Sequence, residues 1–417
     1  MTEPGGVGVL MVPGSRDGEL RIALLGTRGV PARYGGFETC VEEVGKRLTA
    51  SGHRVLVYCR RAPGEPDPAR HYLGMRLVRV PAMRRRSLET LSHAGASVAH
   101  LITHGADVAI MFNVANAPWL PLLRAAGIPV ATHVDGLEWQ RAKWGPIGKR
   151  YYRAAEALAV RWSDALIADA QGIADYYRDV FDADTELISY GAPILRTRCD
   201  RLAEFELRPG AYHLVVARFE PENHVSEMVD GYRRSAARLP LVVVGSAPYS
   251  DAYTAQVKAR ADGRVQFLGG VWDQDLLDQL YAGSYSYLHG HSVGGTNPSL
   301  LRAIGAGAPT IAYDGRFNRE VVGDAGRYFR SPQELAVLLE AAEDDPEGNR
   351  IIGDRGRERA RAYDWDDVAA KFARLSLRLA SGPTTKRPRG RRTALDRAWQ
   401  PAADIMRTGG PYHEFQQ

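Results

Sequence analysis

Two doubly wound α/β halves, each a parallel sheet with helices on both faces, are predicted by three observations. Short, near-continuous apolar runs alternate with stretches of helical periodicity, the pattern of strands buried on both faces. That alternation runs through residues 21–189 and restarts at residue 213. The length, 417 residues, exceeds one compact core at ~100 to 200 residues per domain and suits two.

The first strand is read at 21–26 (RIALLG), ending in a glycine-bearing loop and a helix that starts near Gly36. Further strands are expected at 54–58 (RVLVY), 108–112 (VAIMF), 129–133 (PVATH), 165–168 (ALIA) and 186–189 (ELIS). The second half repeats the pattern at 213–217 (HLVVA), 241–244 (LVVVG, with Gly245), 265–268 (VQFLG, with Gly269), 286–289 (SYLH) and 309–313 (PTIAY). Gly191-Ala-Pro193 and the Arg-rich stretch from Arg196 to Gly210 read as the connection. An amphipathic helix is predicted at 363–380, with Trp365, Val368, Phe372, Leu375 and Leu379 at three- and four-residue steps. The expected organisation is a flexible start (1–19), a first domain (20–195), a second (196–362), that helix (363–380) and a basic tail (381–417).

Composition narrows the function classes. At 45% hydrophobic and 25% charged residues the chain is globular, neither collagen-like nor largely disordered. The net charge of +5 and pI near 9.0 suit an anionic small molecule or a membrane surface, and do not argue for nucleic acid. Cys40, Cys59 and Cys199 lack metal or disulfide spacing, which implies a reducing compartment. With no long apolar stretch and a mean hydropathy of −0.29, a cytoplasmic protein is expected, possible peripheral contact with anionic lipid resting on the tail Lys386–Arg392.

In open parallel sheets ligands sit beyond the carboxyl ends of the strands, so loops that follow strands carry the chemistry. After the first strand comes GTRGVPARYGGFET, in which Gly35 and Gly36 either form a tight turn or let a helix N-terminus approach a phosphate. The G-x-G-x-x-G spacing of a dinucleotide site is absent. In the second half, HGHSVGGTNPSLL places Gly294 and Gly295 before a helix capped by Thr296 or Asn297, with Pro298 in its first turn and Ser299 beside it. His289 and His291 share a strand face and fit packing or hydrogen bonding better than a metal. Asp273-Gln-Asp275 fits a helix cap better than a metal-binding D-x-D.

GTRGVPARYGGFET, THVDGLEWQRAKW, ARFEPEN, HGHSVGGTNPSLL and FNREVVGDAG, in this order over residues 20–380, resemble the retaining GT-B glycosyltransferases of family 4, and among them the bacterial rhamnosyltransferase-like enzymes of polysaccharide synthesis. The resemblance implies two Rossmann-like domains facing across a cleft, with the last helix crossing back to the first. It implies a nucleoside diphosphate sugar as donor, an acceptor hydroxyl on a glycan, lipid-linked saccharide or natural product, and neither metal nor cofactor. Residue by residue it places Gly35 and Gly36 against the donor diphosphate, His133 with the adjacent Asp135 beside the transferred sugar, and Arg218 on the departing diphosphate. Glu320 is implied to help hold the donor, together with Asn223, Gly294, Gly295, Thr296, Asn297 and Ser299. On the acceptor side, Trp139, Arg141 and Lys143 either meet the acceptor or form an ordinary helix surface.

Two positions depart from the pattern. Asn223 stands where most members have a lysine, and Arg302 where the subgroup has a glutamate. A carboxylate accepts hydrogen bonds from ribose hydroxyls, whereas an arginine only donates. Arg302 therefore implies altered donor contacts, a grip on phosphate, or a homologue that binds a nucleotide sugar or partner enzyme without turnover. An epimerase on the same fold is the remaining alternative.

Overall fold

The computed structural model describes residues 18–32, 35–61, 69–83, 88–134, 136–245 and 251–382. The first half is one eight-stranded sheet: β1 (Arg21–Leu25), β2 (Arg54–Arg60), β3 (His71–Tyr72), β4 (Met75–Val80), β5 (Val108–Phe112), β6 (Val130–His133), β7 (Ala165–Ala168) and β8 (Glu186–Leu187), ordered 3-4-2-1-5-6-7-8. All pairs are parallel except β3 with β4. The second half is a parallel six-stranded sheet of β9 (His213–Val216), β10 (Leu241–Val244), β11 (Val265–Gly269), β12 (Ser286–His289), β13 (Thr310–Tyr313) and β14 (Gly326–Phe329), ordered 11-10-9-12-13-14.

Central strands match the expectation because both faces are covered: every residue of β5 is fully buried, as a run of five apolar side chains requires. Three strands were not expected. β4 alternates, exposing Arg76 between buried Met75 and Leu77, and so lacks the continuous apolar run; β3 reaches it through a tight turn at Leu73–Gly74, both with positive φ. β14, Gly-Arg-Tyr-Phe, lies at the sheet edge, where only Phe329 is buried.

The helix Trp365–Ser381 returns to the first half, as expected. Its Phe372 ring lies 6.5 Å from that of Phe112, while Asp366 pairs with Arg47 (2.6 Å) and Arg378 with Glu186 (2.7 Å). Trp365, Val368, Phe372 and Leu375 are buried along the expected stripe.

Strand order fixes where a site can form. The chain reverses its winding between β1 and β5 in the first sheet and between β9 and β12 in the second. Loops leaving the carboxyl ends of strands diverge at such points and open a crevice. The two crevices face each other.

Candidate active site

A cleft of about 1030 Å³ lies between the halves and is lined from both sides. From the first sheet come the loop after β1 and the start of the helix Gly36–Ala50; from the second come the loops after β9 and β12 and the start of the helix Pro298–Ala306. These two helix starts point at one another: a Cβ on Gly36 would sit 3.0 Å from Cγ of Pro298. Each presents first-turn N–H groups that its own helix cannot satisfy, which favours an anion between them.

The second-half turn is built from local chemistry. Asn297 caps its helix, its Oδ1 accepting the Ser299 N–H at 2.9 Å, and Pro298 occupies the first turn. The Thr296 hydroxyl donates to the Asp169 carbonyl at the end of β7 (2.6 Å), tying the turn to the first half. Gly295 is needed there because a Cβ would collide with the Asp169 carboxylate, and Gly136 because its Cβ would fall on the Gly294 backbone. Gly35, Gly36, Gly294, Gly295, Thr296, Asn297 and Ser299 all line the cleft.

Arg218 follows β9, lines the cleft, and lies 3.5 Å from Glu220. Asn223 also lines it, but its amide is spent internally: Nδ2 donates to the Arg218 carbonyl (2.8 Å) and Oδ1 pairs with Nδ1 of His291 (2.6 Å). Its visible work is to hold the Arg218 loop and His291 in register. Arg302 reaches the cleft with its guanidinium paired to Asp278, a residue the sequence reading did not single out. Asp273 does cap its helix, accepting the Leu276 N–H at 3.1 Å.

Several expected site residues lie elsewhere. His133 is fully buried behind the cleft wall, stacked between Phe112 and Tyr190 and met edge-on by Phe37, with both ring nitrogens lacking hydrogen-bond partners among the described residues. Glu320 points away from the cleft and accepts the N–H groups of Gln171 (2.5 Å) and Gly172 (3.3 Å), capping the first-half helix Gln171–Phe181. Arg316 pairs with Asp175 on the same helix, and Phe317 packs against Gly172, so this contact joins the halves. Trp139 packs into the first-half core beneath the Arg153 guanidinium (4.7 Å) and does not line the cleft. Arg141 and Lys143 do line it, both held at 2.7 Å by the buried Glu138, with Arg141 also near Glu220 and Glu222 of the second half. Asp135, Arg84–Arg86 and the tail beyond residue 382 lie outside the described residues.

The Glu320 contact gives a direct check. A charged cap contributes roughly 0.5 to 2 kcal/mol, so Glu320→Gln is expected to lower Tm by a few degrees. A donor contact would instead raise the donor KM and leave Tm unchanged.

Burial holds the cleft histidines neutral: desolvation lowers His133 and His289 to about 3, and His291 falls well below its ordinary value for the same reason. His93, elsewhere in the first half, falls to about 4. Because their folded values lie below the unfolded one, the stability they contribute is present above pH ~6.5 and is lost as pH falls, at about 1.4 kcal/mol per histidine per pH unit. Glu156, raised by burial to about 7, opposes them between pH 7 and 4.5. Four groups outweigh one, so Tm is expected to drop steeply between pH 6.5 and 5 in a melting series.

Comparison with known proteins agrees with this geometry. Residues 35–191 match the Glycosyl transferase 4-like domain and residues 206–359 match Glycosyl transferases group 1. A curated relative, the O-antigen chain mannosyltransferase B of Escherichia coli, is 26% identical over 180 residues, 41% of this chain and 46% of its own length, so under half of that relative is matched. Among solved structures, the sucrose-phosphate synthase of Thermosynechococcus elongatus superposes with a TM-score of 0.74 at 21% identity, covering 86% of this chain and 98% of that one. Anabaena HepE in complex with UDP-glucose superposes with a TM-score of 0.68 at 16% identity, covering 86% and 99%. At these identities the likeness establishes the fold.

Proposed function

Because the chain is a glycosyltransferase of the GT-B fold, both halves matching glycosyltransferase domains, we propose that it moves a hexosyl group from a nucleoside diphosphate sugar to an acceptor hydroxyl in the cleft, with retention of configuration. The carrying observation is the convergence of two helix starts and Arg218 on one opening. In the transfer, the bond from the anomeric carbon to the diphosphate oxygen breaks and the bond to the acceptor oxygen forms on the same face. The acceptor proton passes to the departing diphosphate. Charge growing on that diphosphate is met by Arg218 and by the N–H groups of the facing turns, which are already oriented. Closure of the halves positions the reactants and excludes water.

Within this reading His133 is a positioning residue. Its neutral ring supports Phe37 and Tyr190, both of which line the cleft. Arg302, neutralised by Asp278, supplies no acceptor for ribose hydroxyls, so the donor's sugar ring must be met by other groups.

The motif resemblance favours a deoxyhexose such as rhamnose, and the Escherichia coli relative favours mannose, in each case for a polysaccharide under construction. A thermal-shift panel of UDP-glucose, GDP-mannose and dTDP-rhamnose, followed by radiolabelled turnover with the stabilising donor, decides between them. A stabilising donor that is turned over supports the proposal. A panel with no shift and no turnover would overturn it.

A further inference from the structure

Once Trp139 is found in the core and Arg141 and Lys143 are found tied to Glu138, the residues expected to read the acceptor are accounted for elsewhere. The first-half end of the cleft carries a different pair of cations. Arg28 leaves β1 and Arg60 closes β2, and the Arg60 N–H donates to the Arg28 carbonyl at 3.0 Å, so the backbone itself sets the two side by side. Both line the cleft, together with Thr90 at the start of the helix Glu89–His104.

The two guanidiniums differ in how they are held. Arg60 is pinned on one side, Nη2 donating to the Thr90 hydroxyl (3.0 Å) and Nη1 lying 3.0 Å from Glu89, while its Nε–H is buried with no partner. Arg28 is exposed, and its side chain makes no hydrogen bond or ion pair among the described residues. The carboxylates nearby are already engaged: Glu89 by Arg60, and Glu38 by the Arg28 backbone N–H at 3.0 Å. Two adjacent cations repel, and burial of one of them sharpens the cost; an oxyanion bridging them relieves both. Arg60 loses proton affinity through burial first, with Glu89 partly restoring it and Arg28 lowering it again.

We propose that Arg28, Arg60 and the Thr90 hydroxyl form an anion subsite in the acceptor half of the cleft, which binds a phosphoryl or carboxylate group carried by the acceptor. The assignment to the acceptor rests on the transferase reading; the subsite itself does not. The donor diphosphate, between the Gly36 and Pro298 turns, is a separate ligand.

The test is titration calorimetry on the full chain with glucose 6-phosphate, glucuronate and glucose, without donor. At least one anionic sugar is expected to bind ~10-fold more tightly than glucose, and which one does so distinguishes phosphoryl from carboxylate. Arg60→Gln is expected to abolish that preference, as is Arg28→Gln at an exposed position where folding is not at stake. Arg218→Gln is expected to keep it. Equal binding of the three sugars, a preference that survives Arg28→Gln, or one lost only in Arg218→Gln would overturn the subsite. A protein that shows the preference but turns over no nucleotide sugar would overturn the transferase reading and leave the subsite standing.

Discussion

Arg218→Ala is expected to lower kcat/KM for the donor by about 100- to 1,000-fold, the usual cost of removing one preorganised charge stabiliser. The guanidinium stands at the reversal of winding in the second sheet, directly beyond β9, where its backbone is held by Asn223. Its neighbour Glu220 at 3.5 Å leaves it 37% exposed, so the charge faces the cleft. Arg218→Lys keeps the charge but loses the paired hydrogen bonds of a planar fork, and is expected to fall between wild type and alanine. Steady-state kinetics with the donor found in the panel read this out. A loss under about threefold in both variants would remove Arg218 from the mechanism.

The second large effect concerns backbone contact between the halves. Gly136 follows β6, and a methyl group on it would occupy the space of the Gly294 Cα. Backbone cannot yield as a side-chain tip does, so Gly136→Ala is expected to hold the β12 turn away from the first half and to disrupt the Thr296–Asp169 hydrogen bond. Turnover is expected to fall by ~100-fold, because a 1 Å misplacement of reacting groups costs about that much. Each half keeps its own core, so Tm should change by only a few degrees. Kinetics and melting measured together separate this result from simple unfolding, which would lower both.

What was legible in the sequence follows from range. Strands buried on both faces declare themselves as apolar runs, which is why β5, β7 and β12 match residue for residue, whereas β4, with Arg76 and Arg79 interrupting its apolar positions, does not. The loop at 294–299 was legible for the same local reason: glycine, cap and proline act within a few residues of one another. Glu320 and Trp139 were not. Glu320 finds its partner 149 positions away across the cleft, and the ring of Trp139 turns under Arg153, neither of which any local pattern encodes. Asp278 beside Arg302 was missed because it sits on a different helix. Arg28 and Arg60 carried one usable signal, a basic residue at or just beyond the end of a strand, which gains meaning only when the sheet order makes β1 and β2 neighbours.

The most direct measurement is a crystal structure of the protein with the nucleoside diphosphate of the stabilising donor. The account predicts the two phosphates between the Gly35–Gly36 turn and the Gly294–Ser299 turn, with the Arg218 guanidinium within hydrogen-bonding distance of the terminal one. A nucleotide bound outside this opening, or phosphates directed away from Arg218, would contradict it.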